Sequence, residues 1–585
     1  MKRIIYTIIT VGVLGLSSCS DWFLELDPLD TTTDAVYFKK ASEFKEYANS
    51  FYGQLLGWNS TYGTVYSHMD DGTDLSTYSA YSGNILHGNI QIPSSDSRWD
   101  NCFANIRVVN ILLDRASKYS GIRSEIEQYI SEAYFFRAYN YFYLLKFFGG
   151  VPVVTTVLDV DSPELMGPRN SRYEVVNLIL DDLDKAIGNL PKEANIPSDE
   201  KGRIGVYGAK AFKARVLLFE ATWRKYNGTS TDYSSSKGPE ADQVNEFLAE
   251  AVALCEDVMA NGGFAIWNYN SNSSMQKMSS RYLFCLEDAD SNPAGLTKST
   301  NKEFIISSLY DKETKPGAMN INQTIPKMTA SRKLMDLFLC TDGLPISMSS
   351  RFKGYASPAD EFQNRDLRMK SYITENNEET TLTTGTSGYV PAKFYAQNRA
   401  NLEESSDYPV LRLAEVFLIY AEALFERNGS ITDEQLGRSI NVLRNRAGVK
   451  ALTNAFIVDN GLDMLYEIRR ERAVELYMEG YRFDDLRRWG IAEQELNESR
   501  LGMVVGGANY PTTFVGANGV ATDKYRKNTF VWGEESIETP VGMVNCVVID
   551  SKSNYAFTKT HYLWPIPQQQ INLNPNLIQN PGYAK

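Results

Sequence analysis

Between residues 126 and 148 the run IEQYISEAYFFRAYNYFYLLKFF is apolar almost all the way round a helical wheel, which predicts a helix packed on several sides. Glu127, Glu132, Arg137, Asn140 and Lys146 interrupt it, so it reads as a buried helix and not as a membrane span. Gly149-Gly150 stops it, and Val151-Pro152 opens an extended segment. Amphipathic helices are predicted over 43–57, from Cys102 to Tyr119, over 173–190 (closed by Pro191), over 204–226 and over 244–263. Residues 264–407 are mixed, with NKEFIISSLY strand-like and KLMDLFLCTDGLPI a helix ending in a turn. Two further helices are predicted over 408–426 and 434–449, and short β-like runs over 501–560.

Residues 465–490 carry the densest pattern. At about 100° per residue, Leu465, Ile468 and Leu476 share one face, while Tyr466, Ala473 and Tyr477 share another. Apolar residues on two sides predict a helix held between neighbours, ended by Gly480 and followed by a short helix to Trp489. Arg472, Glu475 and Glu479 fall within the first apolar face. Charges there must be paired, and Glu475 lies at the right reach, i+3, from Arg472. The pattern as a whole predicts a mainly α protein, a single lobe of about four tetratricopeptide-like helix pairs with an inserted loop-rich, partly β region.

The least regular stretch is 58–101, rich in Gly, Ser, Thr, Asn and Asp. A loop this long inside a compact domain is usually functional or disordered, and its Trp58, Tyr62, Tyr66, Tyr78, Tyr81 and Trp99 argue against disorder. Sugars present apolar C–H faces and polar rims, so a site for them needs aromatic platforms and a few directed polar groups. Trp99, placed just before its helix, is the first candidate platform, Tyr78 and Tyr81 the next, with Asp71, Asp74, Arg98 and Asn101 to bond hydroxyls.

The net charge of -13 disfavours nucleic acid and anionic membrane surfaces as partners. No P-loop, GxGxxG, GxSxG or HExxH occurs. Asp70, Asp71 and Asp74 could be offered as a glycosidase pair, but adjacent carboxylates in a polar loop do not set the separation that such chemistry needs. The cysteines show no CxxC or CxC spacing, and the histidines form no HxH or HxxxH pair, so no metal or cofactor is indicated. Residues 1–18 read as a signal peptide, with Lys2 and Arg3 before the apolar run Ile4 to Leu16. Leu16-Ser17-Ser18-Cys19 fits a lipobox, which predicts a mature chain lipidated at Cys19.

Several motifs, in order, carry a resemblance to the SusD/RagB family of surface glycan-binding lipoproteins of Bacteroidetes. They are SDWFLELDPLDTTTDAVYF, the Trp99, Asn105, Ile106, Asn110 spacing, FFRAYNYFYLLKFFGGVPVV, the pair YPVLRLAEVFLIYAEALFE and EQLGRSINVLRNRAGV, IRRERAVELYMEGYRFDDLRRWG, and YLWPIPQQQINLNPNLIQNPGY. Two departures stand out. Leu367 replaces a proline of the family pattern, and only Asp21 is adjacent to Cys19 where many surface-exported relatives have an acidic run.

The resemblance implies a SusD-like fold with a signal peptide over 1–18, a lipidated tail over 19–40, an N-terminal region over 41–263 that carries the 58–101 glycan loop, and a C-terminal region over 264–585. It implies a non-catalytic protein, anchored in the outer membrane and facing outward, that captures oligo- or polysaccharide for a SusC-like TonB-dependent transporter. A peptide-binding RagB-like uptake lipoprotein is the alternative. In relatives a second wall of the site comes from the segment matching about 310–330; here it holds only Tyr310, with Trp267 and Tyr282 as substitutes.

Overall fold

The computed structural model describes residues 37–58, 70–78, 87–88, 91–229, 233, 236, 238–239, 241–315, 328–356, 358–374, 388–396, 399, 403–505, 514–515, 521–522, 534–539 and 542–583. Cys19, Tyr81, the signal peptide and most of the tail lie outside them. After α1 (Ala41–Asn49) and β1 (Ser76–Tyr78) come α2 (Ser97–Ser117), α3 (Glu127–Phe148), α4 (Arg172–Asn189), α5 (Val206–Asn227) and α6 (Val244–Asn261). Then follow β2 (Phe304–Ser308), β3 (Met328–Ala330), α7 (Arg332–Leu337), β4 (Tyr408–Arg412), α8 (Leu413–Asn428), α9 (Ile440–Ala447), α10 (Met464–Glu475) and α11 (Arg482–Arg488). The chain closes on β5 (Arg500–Val505), β6 (Glu534–Thr539), β7 (Gly542–Asp550) and α12 (Gln568–Leu573). The architecture is mainly α, as the apolar periodicity predicts.

Each helix from α2 to α6 packs on the next, α6 packs on α8, and α8 on α10, so one core runs the length of the stack. α3 is its centre. Phe135, Phe136, Tyr139, Leu144 and Leu145 are fully buried, and its charges are matched by neighbours. Arg137 meets Asp182 at 2.7 Å, Glu132 meets Arg203 at 2.7 Å, and Lys146 meets Asp484 at 2.6 Å. A Cβ on Gly150 would lie 2.2 Å from the Asn170 carbonyl oxygen, so only glycine lets the chain turn tightly here. A smaller core lies under the antiparallel sheet β6-β7-β5, around Cys340, Tyr355, Val504 and Cys546. Every cysteine among the described residues is a buried free thiol.

Four expected boundaries are corrected. The helix expected over 43–57 runs as α-helix only over Ala41–Asn49 and then tightens to a 3-10 turn over Ser50–Gln54. The helix expected over 408–426 starts at Leu413, because Tyr408–Arg412 is a strand paired with β2, in keeping with Pro409, which has no N–H to give a helix. The helix expected over 434–449 is split into Asp433–Gly437 and α9, with Ser439 between them at φ -135° and its hydroxyl turned to the Gln435 carbonyl. α10 ends at Glu475, short of Gly480. Arg412 takes the Glu475 carbonyl at 2.8 Å and Lys393 takes that of Tyr477 at 2.6 Å, so the carbonyls of the next turn are already used.

The charges of the 465–490 stretch are paired, but not as the local spacing predicts. Arg472 donates to Asp485 at 2.8 Å, not to Glu475. Glu475 instead receives Arg412 at 2.7 Å, Arg368 at 2.8 Å and Arg446 at 2.5 Å. Glu467, Glu471, Glu475 and Glu479 form a buried carboxylate ladder that Arg368, Lys393, Arg412, Arg444 and Arg446 meet from other elements. Burial works against Glu475, but these guanidiniums outweigh it and hold its carboxyl far below the usual range.

Candidate functional site

The 58–101 loop is fixed to the α10–α11 turn at its described part. Asp70 accepts the backbone N–H of Met478 at 2.7 Å and of Arg482 at 3.0 Å. Asp74 takes a forked pair from Arg482 at 2.9 and 2.7 Å, with Lys333 at 3.2 Å. Arg500 donates to the Thr73 carbonyl at 2.8 Å. Burial pushes the Asp70 carboxyl up to about 7, against the two N–H bonds that favour its anion. Burial also opposes the Asp74 anion, but Arg482, Lys333 and Arg500 outweigh it and hold Asp74 well below the usual carboxylate range.

From this anchor the chain enters β1, which pairs antiparallel with β3 through Ser76↔Ala330 and Tyr78↔Met328. The Ser331 N–H donates to the Leu75 carbonyl at 2.9 Å, and its hydroxyl to that of Asp74 at 2.6 Å. The aromatic loop and the 310–330 segment, expected as two walls of one site, are therefore joined through their backbones. A short strand pair held by two buried side chains is a rigid support for a binding loop.

The polar residues proposed from sequence are differently employed. Asp74 is almost fully buried and saturated by cations, so it positions the loop and does not present itself to hydroxyls. Asp70 is likewise spent on the backbone N–H groups of Met478 and Arg482, in keeping with the sequence reading that these carboxylates are no glycosidase pair. Arg98 folds back on Asp96, at 2.9 and 2.6 Å, and its guanidinium lies over Phe147 and Trp564 at 4.8 and 5.0 Å. Asp71 is half-buried beside Ser76 in a backbone bridge, and Asn101 is half-buried in α2. Of Tyr78 only the backbone is described, in β1.

Trp99 is not in a loop before its helix. Asp96 caps α2, so Trp99 sits in its first turn. It is 4% exposed and packs on Phe103 and Phe148 at 4.9 and 5.2 Å. It is one of the residues lining a groove of about 1290 Å³ between α2, the 152–166 arm and α12. Val160, Leu165, Met166 and Leu573 line this groove and are exposed. The substitutes for a second wall are corrected too. Trp267 is buried with its backbone N–H on Glu303 and its indole N–H on the Thr300 hydroxyl, and Tyr310 is buried with its hydroxyl accepting the Trp58 backbone N–H at 2.7 Å. Tyr282 is half-buried in a short helix. The structure thus brings Asp70, Asp74 and β1 together and sets Trp99 in a separate cavity, since the groove and the cleft beside Asp74 share no lining residue.

Sequence reasoning missed Lys333, which meets Asp74 and Glu495 in that cleft. Its signal is Arg332-Lys333 in the first turn of a helix, where cations are unfavourable unless acids elsewhere hold them. Among the described residues no group of three or more His, Cys, Asp or Glu is placed to hold a metal, and no helix is long and apolar enough to cross a membrane.

Comparison with known proteins adds the family. A model of the SusD family matches residues 265–583, and one described as starch-binding associating with outer membrane matches residues 29–218. A SusD-like protein of Bacteroides ovatus is 22% identical over 518 residues, which cover 84% of this chain and 83% of that protein. SusD-like protein P38 of Formosa agariphila is 24% identical over 239 residues, 40% of this chain, and the match spans 46% of that relative's length. Among solved structures, a SusD-like carbohydrate binding protein from Bacteroides fragilis gives a TM-score of 0.69 at 22% identity, over 92% of this chain and 99% of that one. At that identity the likeness is one of fold.

Proposed function

This chain belongs to the SusD family, and from that premise we propose that it is a non-catalytic lipoprotein of the outer membrane that captures a glycan and passes it to a SusC-like TonB-dependent transporter. The observation that carries the reading is the β1–β3 pair. It joins residues 76–78 of the 58–101 loop to residues 328–330, beside a turn held by Asp70 and Asp74. Such a support suits capture without chemistry, because Asp70 and Asp74 are engaged in holding it. Tyr78 and Tyr81 are the stacking candidates on this loop, with Asp71 and Asn101 for hydroxyls. Cys19 is the lipid attachment site, and the acidic chain faces neither nucleic acid nor anionic lipid.

The test is a panel of oligo- and polysaccharides run by affinity electrophoresis and calorimetry, repeated with Tyr78→Ala and Tyr81→Ala. Binding should fall about tenfold or more on loss of one stacking platform, by analogy with base–aromatic stacking. Binding unchanged in both variants places the ligand elsewhere. Release of reducing sugar during the incubation would make the protein an enzyme. Co-purification with a TonB-dependent transporter from native membranes tests the partner.

The Trp99 groove favours a second reading. Its exposed Val160, Leu165, Met166 and Leu573 suit apolar side chains better than sugar faces, and Asp100, Asp159, Asp161 and Glu164 outnumber Arg107 along its lining. A RagB-like peptide-binding protein would have this character, and a titration with basic, apolar peptides separates the two readings.

A further inference from the structure

Tyr466 is out of place in its helix. The wheel puts it with Ala473 and Tyr477 on an inward face, and those two are buried. Tyr466 is 52% exposed. The Arg470 guanidinium backs its ring at 4.9 Å and is itself held by Glu467 at 3.1 Å. An exposed aromatic with one face braced by a fixed cation is a preorganised stacking surface.

The ring opens on a cleft of about 430 Å³ walled by α7, α10 and the start of β5, a size within the usual range for small-ligand sites. Four basic side chains line it (Arg332, Lys333, Arg470 and Arg500) and four acidic ones (Asp74, Asp336, Glu495 and Glu498). The cations are matched by anions or carbonyls. Arg332 meets Asp336 at 2.8 Å, Lys333 meets Asp74 at 3.2 Å, and Arg500 meets the Glu498 carbonyl at 2.7 Å. An anionic ligand would face Asp336, Glu495 and Glu498 without a spare cation, and a cationic ligand would meet the converse. A neutral polyol meets both donors and acceptors at no charge cost.

We infer that this cleft is a subsite for a neutral sugar, stacked on Tyr466 and bonded by the charged groups around it other than Asp74. The inference rests on the glycan-capture reading and narrows it to neutral glycans. It adds a contact surface separate from the Trp99 groove.

The test uses the full chain and calorimetry with maltohexaose, cellohexaose, xylohexaose, mannohexaose and laminarihexaose as neutral probes, and hexagalacturonate as the anionic one. At least one neutral probe should bind, and Tyr466→Ala should weaken it about tenfold or more. Tyr466→Phe, which keeps the ring, should stay within about threefold of wild type, under half of a tenfold step on the free-energy scale. The thermal midpoint of Tyr466→Ala should match wild type, since the ring is half in solvent, so weakened binding cannot be laid to misfolding. Neutral binding that Tyr466→Ala leaves intact overturns the subsite and spares the capture reading. Hexagalacturonate binding that depends on Tyr466 overturns the neutral class. Failure of every sugar to bind wild type overturns both.

Discussion

Asp74→Asn should loosen the binding loop from the helical stack. The forked pair with Arg482 spans 2.9 and 2.7 Å, and both partners are buried. A carboxamide keeps the shape, but it turns an N–H towards one guanidinium N–H and removes the charge. Breaking a buried pair by removing one partner costs roughly 3–5 kcal/mol, because the other charge stays behind in low dielectric. Lys333 keeps Glu495, so only Arg482 is stranded, and the lower end, about 3 kcal/mol, is expected. Against a total stability on the order of 5–15 kcal/mol this is a large loss. Urea unfolding followed by circular dichroism reads it directly. Hydrogen exchange adds location, since the Ser331 amide bonds the Leu75 carbonyl at 2.9 Å and that of Thr73 the Asp70 carbonyl at 3.2 Å. Both amides should exchange faster while α3 amides keep their protection. The double variant Asp74→Asn/Arg482→Met should recover part of the loss, because it removes the stranded charge. A change below about 1 kcal/mol, the range of an exposed pair, with unaltered exchange would refute the view that this pair seats the loop.

Three further outcomes follow from the same geometry. Trp99→Ala should cost stability by about 3–5 kcal/mol, the range for emptying a core aromatic site, because the ring is packed in the first turn of α2; thermal unfolding checks it, and an unshifted midpoint would return Trp99 to the role of a free platform. Glu422 is held down to about 2 by Arg488, which outweighs its burial, against an ordinary value of 4.5; the stabilisation it gives is present above about pH 4.5 and lost as pH falls towards 2, so Glu422→Gln should flatten stability over that window relative to wild type. Cys19→Ala should leave the protein unprocessed or soluble in cell fractionation, and unchanged membrane retention would remove the lipid anchor.

Much of the scaffold is legible in the sequence because it is written in local periods. α3 shows itself by apolar residues on every side and a double glycine at its end, and α4 by an amphipathic run closed at Pro191. The buried ladder is readable in part, since Glu475 and Glu479 fall with Arg472 on the face of Leu465, Ile468 and Leu476. Their partners are not readable. Arg368, Arg412 and Arg446 come from three other elements, and once they hold Glu475 the nearby Arg472 turns to Asp485. The candidate site suffers most from this. Asp74 reads as a loop carboxylate free for a ligand until Arg482 is brought to it across the fold, and Trp99 reads as a loop aromatic because Asp96 gives no sign, by residue type alone, of whether it caps a helix or bonds a hydroxyl.

The anchoring of the proposed binding loop has a consequence for when the protein becomes competent. The bond from Ser331 to Asp74 joins positions 257 apart, and those from Met478 and Arg482 to Asp70 join positions 408 and 412 apart. A chain made from its N-terminus carries residues 70–78 through most of its synthesis with none of these partners yet in existence. The closure entropy over such spans grows slowly with length, so the delay is set by the arrival of the partners. A chain cut short before Ser331 carries α2 to α6 in sequence, yet lacks the staples that shape its proposed ligand loop. Ligand competence is therefore acquired last, in the same event that completes folding, and truncated or half-folded copies should not compete with finished ones for the ligand.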